Sequence, residues 1–489
     1  MASTRSAGRT LVAALGAALL LALGPAPAAA QDGAAAEQEL PETGPPGEQP
    51  VLRAISEAPS ADSLRSYVKA MVGFHTRHTL SDTVSDTLGV GAARRWVHHK
   101  FEEISSRCGG CLDVRYQRFE IAPDGERIPD TTMVVNPVAI QRGTTHPNRY
   151  LVISGHLDSR VTDIMNDTSF APGANDDASG VAGAIEAARV LSQYDFNASI
   201  VYMGVTGEEQ GLYGSSRAAE LFKERGWHVE AMLNNDMIGN IQGVDGVVDN
   251  TVVRVFSEGT RADETDRMAT IRRYTGGEND SPSRNVARYI DGIADDYVRN
   301  LDVMMIYRLD RFGRGGDHRG FNAVGYPAVR FTEAHEDYEH QHADVRTEDG
   351  VEYGDTTDEV EFGYAAKVTG LDAASLAAMA WAPKPPSGVE IDGAVDPSTT
   401  LSWDAIDPAR APNLAGYRVY WRKTTSPTWE KSVFVGDTTE WTLENVVIDN
   451  YLFGVAAVSE RGFESPVVFP GPVGAFTPAS WMEEDDDGS

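Results

Sequence analysis

Five short stretches of the 489-residue chain put metal-binding or proton-carrying side chains where an apolar run stops. In Leu151-Val-Ile-Ser-Gly-His156-Leu-Asp158-Ser the run ends in Gly, and a His and an Asp follow. A His there can bind a metal through one ring nitrogen while a carboxylate two residues on fixes its other N–H. Alone, His-x-Asp is weak, since a lone strand-end His is more often a surface residue. Ala171-Pro-Gly-Ala-Asn-Asp176-Asp177-Ala-Ser-Gly180 sets two carboxylates at the start of a helix, where simple capping is the plain alternative. Gly207-Glu208-Glu209-Gln-Gly211 follows the run Ile200 to Val205. Adjacent acids repel each other there unless one binds a metal and the other carries a proton on a raised pKa. Leu233-Asn-Asn-Asp236 ends another run, and His335, His340 and His342 follow Ala328 to Thr332.

Taken singly, each stretch has an ordinary explanation. Together they form one constellation, because ligands in open α/β sheets gather beyond the carboxyl ends of the strands. Five N/O ligands with one shared carboxylate match a two-zinc site, each zinc taking a His, a terminal carboxylate and one oxygen of the shared Asp. Rival chemistries fail on spacing. His335-Glu336 to His340 is not His-Glu-x-x-His, since residues five apart stand about 500° apart on a helix. No Gly-x-Ser-x-Gly nucleophile elbow, Walker A loop or strand-borne Gly-x-Gly-x-x-Gly occurs.

The positioning elements are legible around these stretches. Helices are expected at Ser60 to Phe74, Gly91 to Ile104, Ser179 to Leu191, Gly214 to Arg225, Arg284 to Arg299, Asp317 to Val324 and Glu359 to Trp381. Strands are expected at Val114 to Ile121, Met133 to Ile140, Tyr150 to Ser154, Ser199 to Val205, Ala231 to Asn235, Val303 to Tyr307 and Ala328 to Thr332. From the third strand on, strands and helices alternate. The alternation predicts an α/β fold, a mostly parallel mixed sheet with helices on both faces, over residues 51–382. Past Pro383-Lys-Pro-Pro386 short alternating runs take over, which predicts a small antiparallel β-sandwich over 384–478.

Lys plus Arg number 42 against 73 Asp plus Glu, a formal charge of −31, which argues against a nucleic-acid binder. Arg5 and Arg9, an apolar run from Leu11 to Leu23 and the small residues to Ala30 read as a cleaved signal peptide, 1–30. No membrane span is expected after cleavage, and the location is secreted or periplasmic. Residues 31–50 read as a disordered acidic linker and 479–489 as an acidic tail. In an exported chain Cys108 and Cys111 predict a local structural disulfide.

Residues 150 to 345 resemble the exported di-zinc aminopeptidases related to bacterial leucyl aminopeptidase and the glutamate carboxypeptidases. The motifs that carry the likeness are Gly-His156-Leu-Asp158-Ser, Pro-Gly-Ala-Asn-Asp176-Asp-Ala-Ser-Gly, Glu208-Glu209-x-Gly-Leu-x-Gly-Ser, Asn-Asn-Asp236-Met, and Asp317-His318-x-x-Phe with Gly325-Tyr-Pro327. The resemblance implies that Asp176 bridges two zincs, that His156 and Asp236 complete one site, and that Glu209 and a late His complete the other. It makes Glu208 the general base for a zinc-activated water and has Asp158 orient His156. His342 is favoured as the late His, with His340 left to line the substrate pocket. Asp317 and His318 buttress the rim. Some family members place a Tyr before that Asp-His; here Arg311-Phe-Gly-Arg314-Gly-Gly316 stands instead, and Arg314 is the candidate oxyanion donor.

The leading expectation is an aminopeptidase acting on peptides or proteins. A carboxypeptidase or dipeptidase stays open because Arg308, Arg311 and Arg314 could hold a free carboxylate. A non-catalytic binding protein is the third reading. Leu401-Ser-Trp403, Gly416-Tyr-Arg-Val-Tyr420 and Tyr451-Leu-Phe-Gly-Val-Ala-Ala-Val458 resemble strands of fibronectin type III domains, a module that could dock on surface polymer or protein.

Overall fold

The computed structural model describes residues 45, 47–406 and 411–472. The expected signal peptide, most of the expected linker and the acidic tail lie outside the described residues. Among the described residues no helix is long and apolar enough to cross a membrane.

Three helices come first: α1 (Pro50–Ser56), α2 (Ala61–Val72) and α3 (Gly89–Arg107). Pro50 opens α1, where a missing N–H needs no partner, and Ser60 caps α2 by accepting the N–H of Ser63. The expected bridge between Cys108 and Cys111 closes the end of α3. Strands β1 (Leu112–Ile121), β2 (Thr132–Gln141) and β3 (His146–His156) follow. Then come α4 (Ala178–Leu191), β4 (Ala198–Val205), α5 (Tyr213–Glu224), β5 (His228–Asn235), β6 (Val252–Ser257) and α6 (Asp266–Thr275). The unit closes with α7 (Pro282–Tyr297), β7 (Asp302–Ile306), α8 (His318–Ala323), β8 (Ala328–Glu333), the hairpin β9 (Arg346–Glu348) and β10 (Val351–Tyr353), and α9 (Phe362–Trp381).

Eight strands form one sheet in the order β1-β2-β4-β3-β5-β8-β6-β7. β3 runs parallel to β4 and β5, β5 to β8, and β6 to β7, while the other neighbours are antiparallel. The central strands are covered on both faces, so they read as unbroken apolar runs; every residue of β4 is buried. Leu151 and Ile153 point into the core with α4 and α9, and Val152 points into the opposite core with α5 and α8. Phe222 and Phe321 fill that second core edge-to-face, and truncating either to Ala is expected to cost about 3–5 kcal/mol.

The C-terminal strands are β11 (Glu390–Asp392), β12 (Thr399–Ser402), β13 (Leu414–Lys423), β14 (Lys431–Gly436), β15 (Glu440–Leu443), β16 (Tyr451–Ser459) and β17 (Gly471–Pro472). They form two small sheets, β15-β12-β11-β17 and β14-β13-β16, over a shared core that includes Leu401, Trp403, Tyr417, Val419 and Phe453. This sandwich is fastened to the larger unit. Asp280, just before α7, is fully buried and takes Arg288 at 2.9 Å and Arg422 of β13 at 2.8 Å. Phe463 stacks on Trp381 at the end of α9, ring centroids 4.9 Å apart, inside the main core.

Candidate metal centre

The parallel strands β3, β4, β5 and β8 end on one edge of the sheet, and the candidate residues gather there. His156 is the last residue of β3, Glu208 and Glu209 lie three and four residues beyond β4, and Asp236 directly follows β5. Asp176 sits beside Asp177, the residue that caps α4 by accepting the N–H of Gly180. The helix can start this close because of two glycines. A Cβ on Gly155 would lie 2.3 Å from the carbonyl carbon of Gly180, and one on Gly180 would lie 2.5 Å from the carbonyl oxygen of Asn235.

The side chains form overlapping groups: His156, Asp176 and Asp236; Asp176, Glu209 and His342; and His156, Glu208 and Glu209. Within each, the ligand atoms lie within 4.8 Å of one another. Asp176 faces two ways. Its Oδ1 is 2.9 Å from Nε2 of His156, and its Oδ2 is 2.8 Å from Nε2 of His342. That Nε2 of His342 is also 2.9 Å from Oε1 of Glu209, and His156 Nε2 is 3.9 Å from Asp236. Of the two late His candidates, the structure brings His342 to the group. His340 turns its Nδ1 to the carbonyl of Gly354 at 3.0 Å and lines a small separate cavity on the far side of Asp176.

Charge sharpens this picture. Burial and the negative neighbours Glu209 and Asp236 push the Glu208 carboxyl well above its usual range. Against its burial, His342 pulls Glu209 down to about 2. Against its own burial, the carboxylates of Glu209 and Asp176 raise His342 to about 9, and Asp176 raises His156 as well. The Nε2 atoms of the two imidazoles, neutral when they bind metal, and the carboxylate oxygens are the N/O donor set that zinc takes, so the residues present fit zinc.

The supporting residues depart from expectation at Asp158. The ring of His156 is held by the backbone carbonyl of Asp158 at 2.9 Å, while the carboxylate lies 3.9 Å away. That carboxylate instead accepts the N–H groups of Gly207, Glu208 and Glu209 at 2.9, 3.3 and 3.0 Å, and the hydroxyl of Thr79 at 2.9 Å. Asp158 therefore shapes the turn that carries Glu208 and Glu209, and orients His156 only through its main chain. Asp317 and His318 are fully buried under the rim; burial raises Asp317 to about 7 and lowers His318 to about 4, and His318 bonds the carbonyl of Leu309 at 2.7 Å. Arg314 lines the pocket wall, with Nη1 at 2.9 Å from Oε1 of Gln341 and 3.4 Å from Glu336.

Sequence reasoning missed several residues. Asp177 ties three elements together by accepting the N–H groups of His156, Gly180 and Met237. Asp355 accepts the N–H groups of Asn175 and Asp176 at 2.7 and 2.6 Å. Buried Arg77 donates to the carbonyls of Leu157, Pro172 and Gly173, so the N-terminal segment braces the metal-site loops. Arg330 joins Asp236 at 2.8 Å to Asp310 at 3.1 Å. Only Asp177 carried a local signal, a second Asp beside the first.

A model of peptidase family M28 matches residues 136–358. A probable zinc metalloprotease of Leptosphaeria maculans is 42% identical over 428 residues, 87% of this chain and 98% of that protein. This chain belongs to peptidase family M28. A second relative, a probable zinc metalloprotease of Pyrenophora teres f. teres, is 41% identical over 88% of each chain. LapA of Legionella shares the fold, with a TM-score of 0.50 at 20% identity over 71% of this chain and 79% of that one. As an M28 chain the protein is a zinc metallopeptidase, and the group around Asp176 could hold a metal ion.

Proposed function

We propose that this M28 chain is an exported two-zinc exopeptidase that removes residues from the N-termini of peptides and proteins. The observation that carries the two-zinc reading is Asp176, whose oxygens separately face His156 and His342 at 2.9 and 2.8 Å. His156 and Asp236 would hold one ion, Glu209 and His342 the other, with Asp176 shared. Zinc supplies Lewis acidity, which polarises a peptide carbonyl and acidifies a water.

The chain's own residues do the rest. Glu208, held by the Asp158-anchored turn, takes a proton from the attacking water and hands it to the leaving amine. Its raised pKa suits a group that must keep a proton between those steps. Arg330 fixes the carboxylate of Asp236 from behind. Arg314 is placed to donate to an oxyanion from the wall. The C-terminal sandwich, read as fibronectin type III-like, would act as a fixed accessory to the peptidase unit.

A carboxypeptidase or dipeptidase is the second reading. It is favoured by the pocket wall, where arginines line the cavity and the only carboxylates are the four assigned to metal and proton work. Hydrolysis of aminoacyl-anilides with free or acetylated amines, with and without chelator, separates the readings. Chelator-sensitive cleavage of free-amine compounds alone, with about two zinc per chain, supports the aminopeptidase. Cleavage only of peptides with a free C-terminus replaces it with the carboxypeptidase.

A further inference from the structure

The cavity over the metal ligands, about 530 Å³, is lined by Arg127, Arg160, Arg311, Arg314 and Arg319. Five guanidinium groups around one pocket stand out in a chain of formal charge −31. Three of them are engaged with acids. Arg160 meets Glu209 at 2.9 Å, and Arg311 and Arg314 share Glu336 at 3.0 and 3.4 Å. The other two are not. Exposed Arg127 reaches only the backbone carbonyl of Glu209, at 2.9 Å, and comes from the loop between β1 and β2. Arg319, also exposed, folds over Gly315 from the opposite wall; a Cβ there would lie 2.5 Å from its Nη1. Among the described residues neither has a carboxylate within ion-pair distance.

The charge sum gives this arrangement a direction. Two zinc ions would offset Asp176, Glu208, Glu209 and Asp236, so the floor of the loaded pocket would be close to neutral. With Glu209 already offset, Arg160 keeps no uncommitted acid, and the guanidinium groups of Arg127 and Arg319 have no acid of their own. Fork-shaped donors around a partly desolvated pocket are the usual receptor for a carboxylate.

We infer that Arg127 and Arg319, which line the same cavity as Arg314 and the candidate metal ligands, form a carboxylate subsite. The preferred substrates then carry a carboxylate beside the scissile bond, either an Asp or Glu side chain or a free C-terminus. The inference rests on the peptidase reading for its substrate but not for its binding test.

That test uses the zinc-loaded full chain, wild type, R319Q and R127Q/R319Q, and titrates small probes by calorimetry. N-acetyl-glutamate α-amide against N-acetyl-glutamine α-amide reads the side-chain source. N-acetyl-glycine against its amide reads the C-terminal source. In at least one pair the charged probe is expected to bind about tenfold tighter, with the advantage falling below about threefold in R127Q/R319Q at unchanged zinc content. R319Q alters only an exposed side chain, so its intermediate loss is readable even if the double variant folds poorly. Equal affinity within both pairs, or an advantage that survives in R319Q and R127Q/R319Q, overturns the subsite. Zinc binds carboxylates in every variant, so the difference between variants isolates the arginines. In parallel, kcat and KM for Glu- and Gln-anilides should show the charge preference in KM. Absence of all hydrolysis with the binding difference intact would reject the peptidase reading and keep the subsite.

Discussion

Asp176 and Asp280 are both buried aspartates close to cationic side chains, yet their surroundings differ in kind. Asp280 is one carboxylate between two guanidinium groups, Arg288 from its own unit and Arg422 from the sandwich. Asp176 shares its space with three more acids, Glu208, Glu209 and Asp236, and with two imidazoles. The first arrangement is closed: the chain itself supplies every cation that the one carboxylate meets. The second is open, because burying like charges together is unfavourable until cations arrive. A buried acid already held by the chain's own guanidinium groups marks a joint, and an excess of buried acid marks a place for metal.

Substitution at Asp176 should break the comparison most severely. Asp176→Ala is expected to lose zinc on dialysis and all measurable turnover while still folding, which metal analysis and circular dichroism would check. Retention of two zinc ions would remove the shared-ligand role. Glu208→Gln should keep its zinc and lose about 10²–10⁴ in turnover, the range of a general base; near-normal rates would end that assignment. Asp280→Ala should do the reverse. It leaves the buried guanidinium groups of Arg288 and Arg422 with carbonyl and amide acceptors but no carboxylate, and should cost about 3–5 kcal/mol in urea unfolding, with zinc content and turnover unchanged in the folded protein.

Glu258 sharpens the contrast with a smaller effect. It is buried, and its carboxylate accepts only the hydroxyl of Ser283, at 3.5 Å, among the described residues. Burial raises its pKa from 4.5 to about 7. The folded chain therefore holds that proton more tightly than the unfolded chain. Its contribution is full below pH 4.5, and is lost as the pH rises to about 7. Glu258→Gln should remove that loss and stabilise the protein at pH 8 by about 1 kcal/mol after solvent screening. An unchanged melting temperature at pH 8 would mean that burial does not raise this carboxyl's pKa.

The contrast also explains what could be read from residues alone. His156 ends an apolar strand and Glu208, Glu209 and Asp236 follow others, and parallel strands deliver their ends to one edge, so strand reading also collects these candidate residues. His342 lies in a loop beyond β8 and needed the family likeness. The Asp158 contacts were misjudged because two residues of separation suggests a local partner, while the carboxylate reaches a turn about fifty residues on. Arg77, Arg330 and Asp355 act through contacts distant in the chain and leave no local pattern. Among the elements, α6 went unseen because it buries no residue and so has no apolar stripe. β6 is short and lies between polar loops. The Pro-rich break at 383–386 marks a change of texture in the chain, and that change conceals the joint through Asp280 and Trp381.

That joint has a consequence for synthesis. Asp280, Arg288 and Trp381 leave the ribosome well before Arg422 and Phe463, the residues that complete their surroundings. The peptidase unit therefore emerges with an unfinished face and finishes folding only when the last strands arrive. Nascent chains stalled before residue 422 should be cut readily by protease near α7 and the end of α9, and chains extended past Phe463 should resist. Equal resistance at both lengths would mean that the larger unit matures without its C-terminal partner.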